Sequence, residues 1–156
     1  MTQMNISRAK PEAAAELTAI AFAAKRHWGY PEEWIAEWAL QLTITPEFVC
    51  EHPTFVAREA AEILGVAAIE MDDLLREATI IHLWVKPLAM GRGVGSLLFV
   101  ACEEAARHAG ATRLKVESDP NAEGFYRKMG AIPIGRVAAN VGGVERSLPV
   151  LQKILE

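Results

Sequence analysis

The chain has 156 residues, enough for one domain with a filled core and too few for two of ordinary size, so a single domain over 1–156 is expected. Hydrophobic residues make up 51% and charged residues 23%, which excludes a disordered or fibrous chain. The net charge is −4 with no block of lysine or arginine, which argues against a nucleic-acid partner, and no apolar run approaches the roughly 20 residues of a membrane span.

In chain order, MNISRAK carries Met4 and Ile6 at a spacing of two, a short strand that stops where Pro11 can open a helix. Ala14, Leu17, Ile20, Ala21 and Ala24 then recur at helical spacing to about Lys25. Glu12 and Glu16 interrupt this stretch, so it reads as an amphipathic helix rather than a secretion signal, and a cytoplasmic protein is expected. HWGYPEEW breaks the pattern at Gly29 and Pro31, after which Trp34, Ile35, Trp38 and Leu42 form the stripe of a second helix. Strands follow at 54–59, 63–71 and 78–85, joined by short polar connections that favour antiparallel neighbours. Leu97, Leu98, Ala101, Cys102 and Ala105 mark the buried side of another helix, with Gly110 as its stop.

TRLKVES reads as a further strand, and DPNAEGFYRKMG as a short helix with Asp119 as N-cap and Pro120 at its first position. AIPIGRVA and SLPVLQKI form two last strands around the loop NVGGVER. Three successive strands exclude a simple doubly wound parallel sheet, and a mixed α/β sheet with helices on both faces is the economical solution. Cys50 and Cys102 lack metal-ligand or redox spacing; Cys102 is expected reduced and buried, and no metal is expected.

The segment HLWVKPLAMGRGVGSLL places Gly91, Gly93 and Gly95 between a strand and a helix. Bare backbone at a helix N-terminus lets N–H groups approach a phosphate, and the helix dipole favours its charge. A Walker loop needs Gly-Lys, which is absent. A dinucleotide fingerprint needs Gly or Ala at its sixth place, where Ser96 or Leu98 stands.

VKPLAMGRGVGSLL resembles the coenzyme A pyrophosphate loop of the GNAT superfamily of N-acetyltransferases, with Gly93 and Gly95 in the glycine places and Met90 where Arg or Gln is usual. SDPNAEGFYRKMGA is similar to a later segment of that family, matching at Ala122, Phe125, Tyr126 and Gly130. The resemblance implies a mixed, mostly antiparallel sheet of about seven strands, split between the fourth and fifth and flanked by about four helices, with acetyl-CoA as cosubstrate lying in the split.

It further implies that Leu83 and Val85 hold the pantetheine arm, that Met90, Gly91, Arg92, Gly93, Val94, Gly95 and Ser96 meet the pyrophosphate, and that Asn121, Phe125 and Tyr126 border the coenzyme. Tyr126 would protonate the coenzyme A sulfur; its plain structural alternative is a core tyrosine packed on Met129. Relatives carry Glu or His where Thr79 and Ile81 stand, so the general base falls to Glu117 at a strand end, to His82 on the opposite face of its strand, or to Glu70. Each has a plain structural alternative, a solvated carboxylate or a core histidine. The acceptor pocket of the family lies between the first two helices and at the last hairpin, which nominates His27, Trp28 and Tyr30 for a small-molecule or peptide amine, by cation–π contact or hydrogen bonding. A non-catalytic acyl-CoA-binding module is the alternative, and a homodimer is left open.

Overall fold

The computed structural model describes residues 3–156. Strands β1 (Met4–Arg8), β2 (Thr54–Glu59), β3 (Glu62–Asp72), β4 (Glu77–Val85), β5 (Arg113–Glu117), β6 (Ile132–Val141) and β7 (Val144–Ile154) form one sheet in the order β1-β2-β3-β4-β5-β7-β6. Every pairing is antiparallel except β4–β5. Helices α1 (Ala14–Arg26), α2 (Glu32–Glu37), α3 (Ala39–Leu42), α4 (Pro46–Glu51), α5 (Val94–His108) and α6 (Glu123–Lys128) cover it, and none is long and apolar enough to cross a membrane.

Among the described residues six helices stand where about four are expected, for two reasons. The Trp34 to Leu42 stripe is broken at Trp38, whose backbone separates α2 from α3. The helix α4 arises from a local signal: Thr45 caps it by accepting the Phe48 N–H at 3.0 Å, and Pro46 follows in the first turn. The final hairpin is also tighter than NVGGVER suggests. Gly142 and Gly143 both have positive φ (57° and 74°), so a two-residue turn suffices and the ladder runs to Val141 and restarts at Val144.

Helix α5 lies on one face, where Leu98, Phe99 and Cys102 pack with Ala67, Ile69 and Ile80; α1 and α4 lie on the other, where Leu17, Ile20 and Val49 meet Val56 and Val66. A side chain at Gly65 of β3 would stand 2.8 Å from the Trp84 carbonyl oxygen and 3.1 Å from Val94, so α5 sits close over the sheet at its N-terminus. That contact aims the start of α5 at the end of β4.

Candidate active site

Strands β4 and β5 pair only over Glu77↔Arg113, Ala78↔Leu114 and Thr79↔Lys115. Glu77 pins this closed end by accepting from Arg113 (2.7 Å) and pairing with Lys115 (3.2 Å). Beyond Thr79 the strands part, and the outer edge of β4 has no strand partner. The Lys86 N–H bonds the Leu64 carbonyl across β3. Because successive peptide groups alternate between edges, the N–H groups of Val85 and Leu83 turn to the open edge.

A bulge lies in the same strand. Ala68 pairs with His82 and Ile69 with Ile80, leaving Ile81 as the extra residue. It reverses the phase of β4, so Ala78 and Ile80 share the α5 face with Leu83 and Val85.

The split opens into a cavity of about 520 Å³. Leu83, Val85, Met90, Gly91, Gly93, Val94, Gly95 and Ser96 line one wall. Glu117, Asn121, Phe125 and Tyr126 line the other, and Trp28, Trp84, Ile80 and Ile81 complete the lining. Gly93 is the N-cap of α5 with φ +83°, Gly91 has φ +80°, and a side chain at either would meet nothing within 4 Å. No side chain caps α5, so the first-turn N–H groups from Val94 to Ser96 have no intrahelical acceptor, and Leu97 is the first to bond back, to Gly93, at 3.2 Å. Gly95 serves packing instead: its added side chain would touch Phe125 at 3.2 Å.

Tyr126 is 6% exposed, packed among Phe99, Phe125 and the α5 face, yet its hydroxyl has no hydrogen-bond partner among the described residues and borders the cavity. Burial, reinforced by Cys102 and Asp119, pushes its phenol above the ordinary tyrosine value, so it holds its proton at neutral pH. Glu117 is exposed at the end of β5 and lines the cavity.

Several nominated residues lie elsewhere. His82 is 4% exposed on the α1 face, accepts the Trp84 indole N–H at 2.9 Å on Nδ1 and packs edge-on to Phe48. Burial, and secondarily His52, pushes it down to about 4. Glu70 is exposed on β3 away from the cavity. Arg92 turns to Glu59 and borders a second groove of about 540 Å³ between α1 and the β4–α5 loop, where Lys86 is likewise paired with Glu62. His27 is exposed beside Trp28 and does not line the cavity.

Tyr30 belongs to a cluster that the sequence does not announce. Its hydroxyl donates to Asp119 (2.9 Å) and accepts from Asn121 Nδ2 (3.0 Å) and Arg146 Nη2 (2.9 Å). Lys25 Nζ pairs with Asp119 at 2.7 Å. Burial alone would raise the Asp119 carboxyl, but Lys25, the Asn121 N–H and Tyr30 outweigh it and hold it below the usual range. Asp119 also accepts the Asn121 N–H at 2.8 Å, the cap the sequence indicates, while its partners come from residues far away in the chain.

The family model of the acetyltransferase (GNAT) family matches residues 14–131. The chain belongs to the GNAT acetyltransferase family. Enzymes of this family are acetyl-CoA-dependent acyltransferases. The chain is similar to the crystal structure of a GCN5-related N-acetyltransferase from Rhodopseudomonas palustris, with TM-score 0.81 and 26% identity over 99% of this chain and 98% of that one. The GNAT fold is also shared with the PaiA N-acetyltransferase from Thermoplasma acidophilum in complex with coenzyme A (TM-score 0.75, 17% identity, 97% and 99% covered). A third is YncA from Salmonella typhimurium with its cofactor acetyl-CoA (TM-score 0.70, 18% identity, 98% and 94% covered). No curated protein matches the chain by sequence.

Proposed function

We propose that the chain, acting as one domain, is an N-acetyltransferase that moves an acetyl group from acetyl-CoA to a primary amine of a small molecule or peptide by direct transfer in a ternary complex. The observation that carries this is the free hydroxyl of Tyr126 facing the same cavity as the bare start of α5. Bound acetyl-CoA supplies the acyl group as a thioester.

The cavity fits that cosubstrate. Gly91 and Gly93 leave open space beside the unpartnered N–H groups of Val94, Gly95 and Ser96, which suit a pyrophosphate. The open edge of β4 presents N–H groups of Leu83 and Val85 to the amides and carbonyl of the arm, and the Val85 N–H polarises the acyl oxygen. Asn121 and Phe125 border the arm on the far side, and Met90 adds apolar contact in place of a cation.

Tyr126, kept protonated by burial, donates to the leaving sulfur. Glu117 accepts the amine proton directly or through water, because Ile80 and Ile81 supply no base from β4 and His82 faces away. Trp28 covers the acceptor end. An exposed free thiol at Cys50 is in keeping with a reducing, cytoplasmic setting.

The test is a panel of amines assayed for coenzyme A thiol release. Tyr126→Phe should slow turnover by about a hundredfold with coenzyme A affinity nearly intact. In the same assay Glu117→Gln should lose most rate near neutral pH and recover as alkali deprotonates the amine. Coenzyme A binding without thiol release from any amine would turn the reading to a non-catalytic acyl-CoA-binding module. Equal turnover of Tyr126→Phe and the native protein would remove the tyrosine from the mechanism.

A further inference from the structure

Tyr30, Trp34 and Trp38, which stand beside the cavity behind Asp119 and Asn121, already hold cations of the protein's own. Arg146 on β7 stands over the rings of Tyr30 (5.0 Å), Trp38 (5.4 Å) and Trp34 (5.8 Å), and Lys25 over those of Trp38 (4.3 Å) and Tyr30 (5.1 Å). A cationic acceptor therefore finds the faces of Tyr30 and Trp38 taken, and cation–π capture there is unavailable to it.

The charges in this cluster do not balance. Lys25 and Arg146 bring two positive charges and Asp119 one negative charge, which Lys25 engages at 2.7 Å. Arg146 is half-buried, donates to the Tyr30 hydroxyl, and has no carboxylate within ion-pair distance among the described residues. A guanidinium has five N–H donors, and among the described residues that of Arg146 makes one side-chain hydrogen bond, to Tyr30, which leaves donors for a ligand. Glu117 and Lys128, which also line the cavity, offset each other in charge. Through Tyr30, Arg146 stands one hydroxyl behind Asp119 and Asn121 in the cavity wall.

From this imbalance we infer that the acceptor amine carries a carboxylate, and that Arg146, supported by Tyr30, recognises it. A carboxylate matches the planar fork of arginine, and the pair gains a charge-assisted hydrogen bond in partly desolvated surroundings. The acceptors are amino acids or molecules with a carboxylate near the amine. Arg146 is a specificity residue, remote from the thioester. The inference rests on the acetyltransferase reading for its substrates, and its test has an arm that needs no turnover.

Amino acids and their carboxamides are compared as acceptors, and N-acetyl amino acids and their carboxamides are titrated by calorimetry in the presence of coenzyme A. The acid should be preferred over its amide by about tenfold or more in kcat/KM and in affinity. Arg146→Met, which keeps an apolar chain against the rings, should abolish the preference while leaving coenzyme A affinity unchanged. A structural role alone would slow acid and amide equally, and that result overturns the inference. So does a native protein that takes amides as well as acids, or binds no N-acetyl amino acid while binding coenzyme A. Failure to bind coenzyme A at all would instead count against the acetyltransferase reading, and N-acetyl acid binding that is lost in Arg146→Met would still support the carboxylate site.

Discussion

The two ends of the cavity are built on different principles. The cradle at the start of α5 comes from one stretch, Lys86–Ser96, and works through backbone: two glycines with positive φ and N–H groups without acceptors. The cluster behind Asp119 and Asn121 draws Lys25 from α1, Tyr30 from the loop after it, Asp119 and Asn121 from the β5–α6 connection and Arg146 from β7, and is held by side-chain charge. Backbone recognition suits a ligand that is the same throughout a family. Side-chain recognition can be changed residue by residue, so it is the natural place for acceptor specificity.

The contrast can be broken by substitutions that should affect one end and spare the other. The largest effect is expected from Gly93→Val. A β-branched residue at φ +83° costs about 1–2 kcal/mol in the left-handed region, and its methyls would enter the phosphate space. Calorimetry should show coenzyme A affinity reduced by about a hundredfold or more, and a folded variant of unchanged affinity would remove the cradle from the site.

Lys25→Met is the counterpart in the cluster around Asp119. It leaves the Asp119 carboxylate, 11% exposed, with Tyr30 and Asn121 but no cation, at a stability cost of about 2–3 kcal/mol by denaturant titration. Coenzyme A affinity should not change; a parallel loss would mean that the two ends are coupled.

The smallest effect belongs to His82→Gln, a change on neither wall. His82 binds no proton when folded until about pH 4, whereas an unfolded histidine binds one from its ordinary 6.5 downward. The unfolded state therefore takes up more protons as pH falls through that window, and stability drops. The native protein should lose about 2 kcal/mol between about pH 7 and pH 5 that the variant retains. Identical pH profiles would show that His82 is not neutral in its burial.

Much of the fold was legible because its signals are local. Met4 and Ile6, the α1 stripe, the apolar strands and Asp119-Pro120 report periodicity and capping, which neighbouring residues decide among themselves. The glycine loop was legible for the same reason. The bulge at Ile81 was not, since an extra residue in one strand exists only relative to its partner, and it set which residues of β4 face α5. Nor was the fate of His82, whose spacing allows core or catalysis until Trp84 and Phe48 surround it.

By itself the sequence determined the glycine loop before α5 and the order of the strands, because each depends on short-range constraints that glycine, proline and apolar spacing impose, whereas the place of Tyr126 was implied by the family resemblance. Only the tertiary structure decided the charge balance of the cluster around Asp119. Lys25, Asp119 and Arg146 are ordinary charged residues along the chain, and their pairing, with Arg146 left over, appears when the parting of β4 and β5 brings α1, the β5–α6 connection and β7 to one place. Coulomb interactions and desolvation depend on distance and burial, and for residues this far apart in the chain both are fixed by folding.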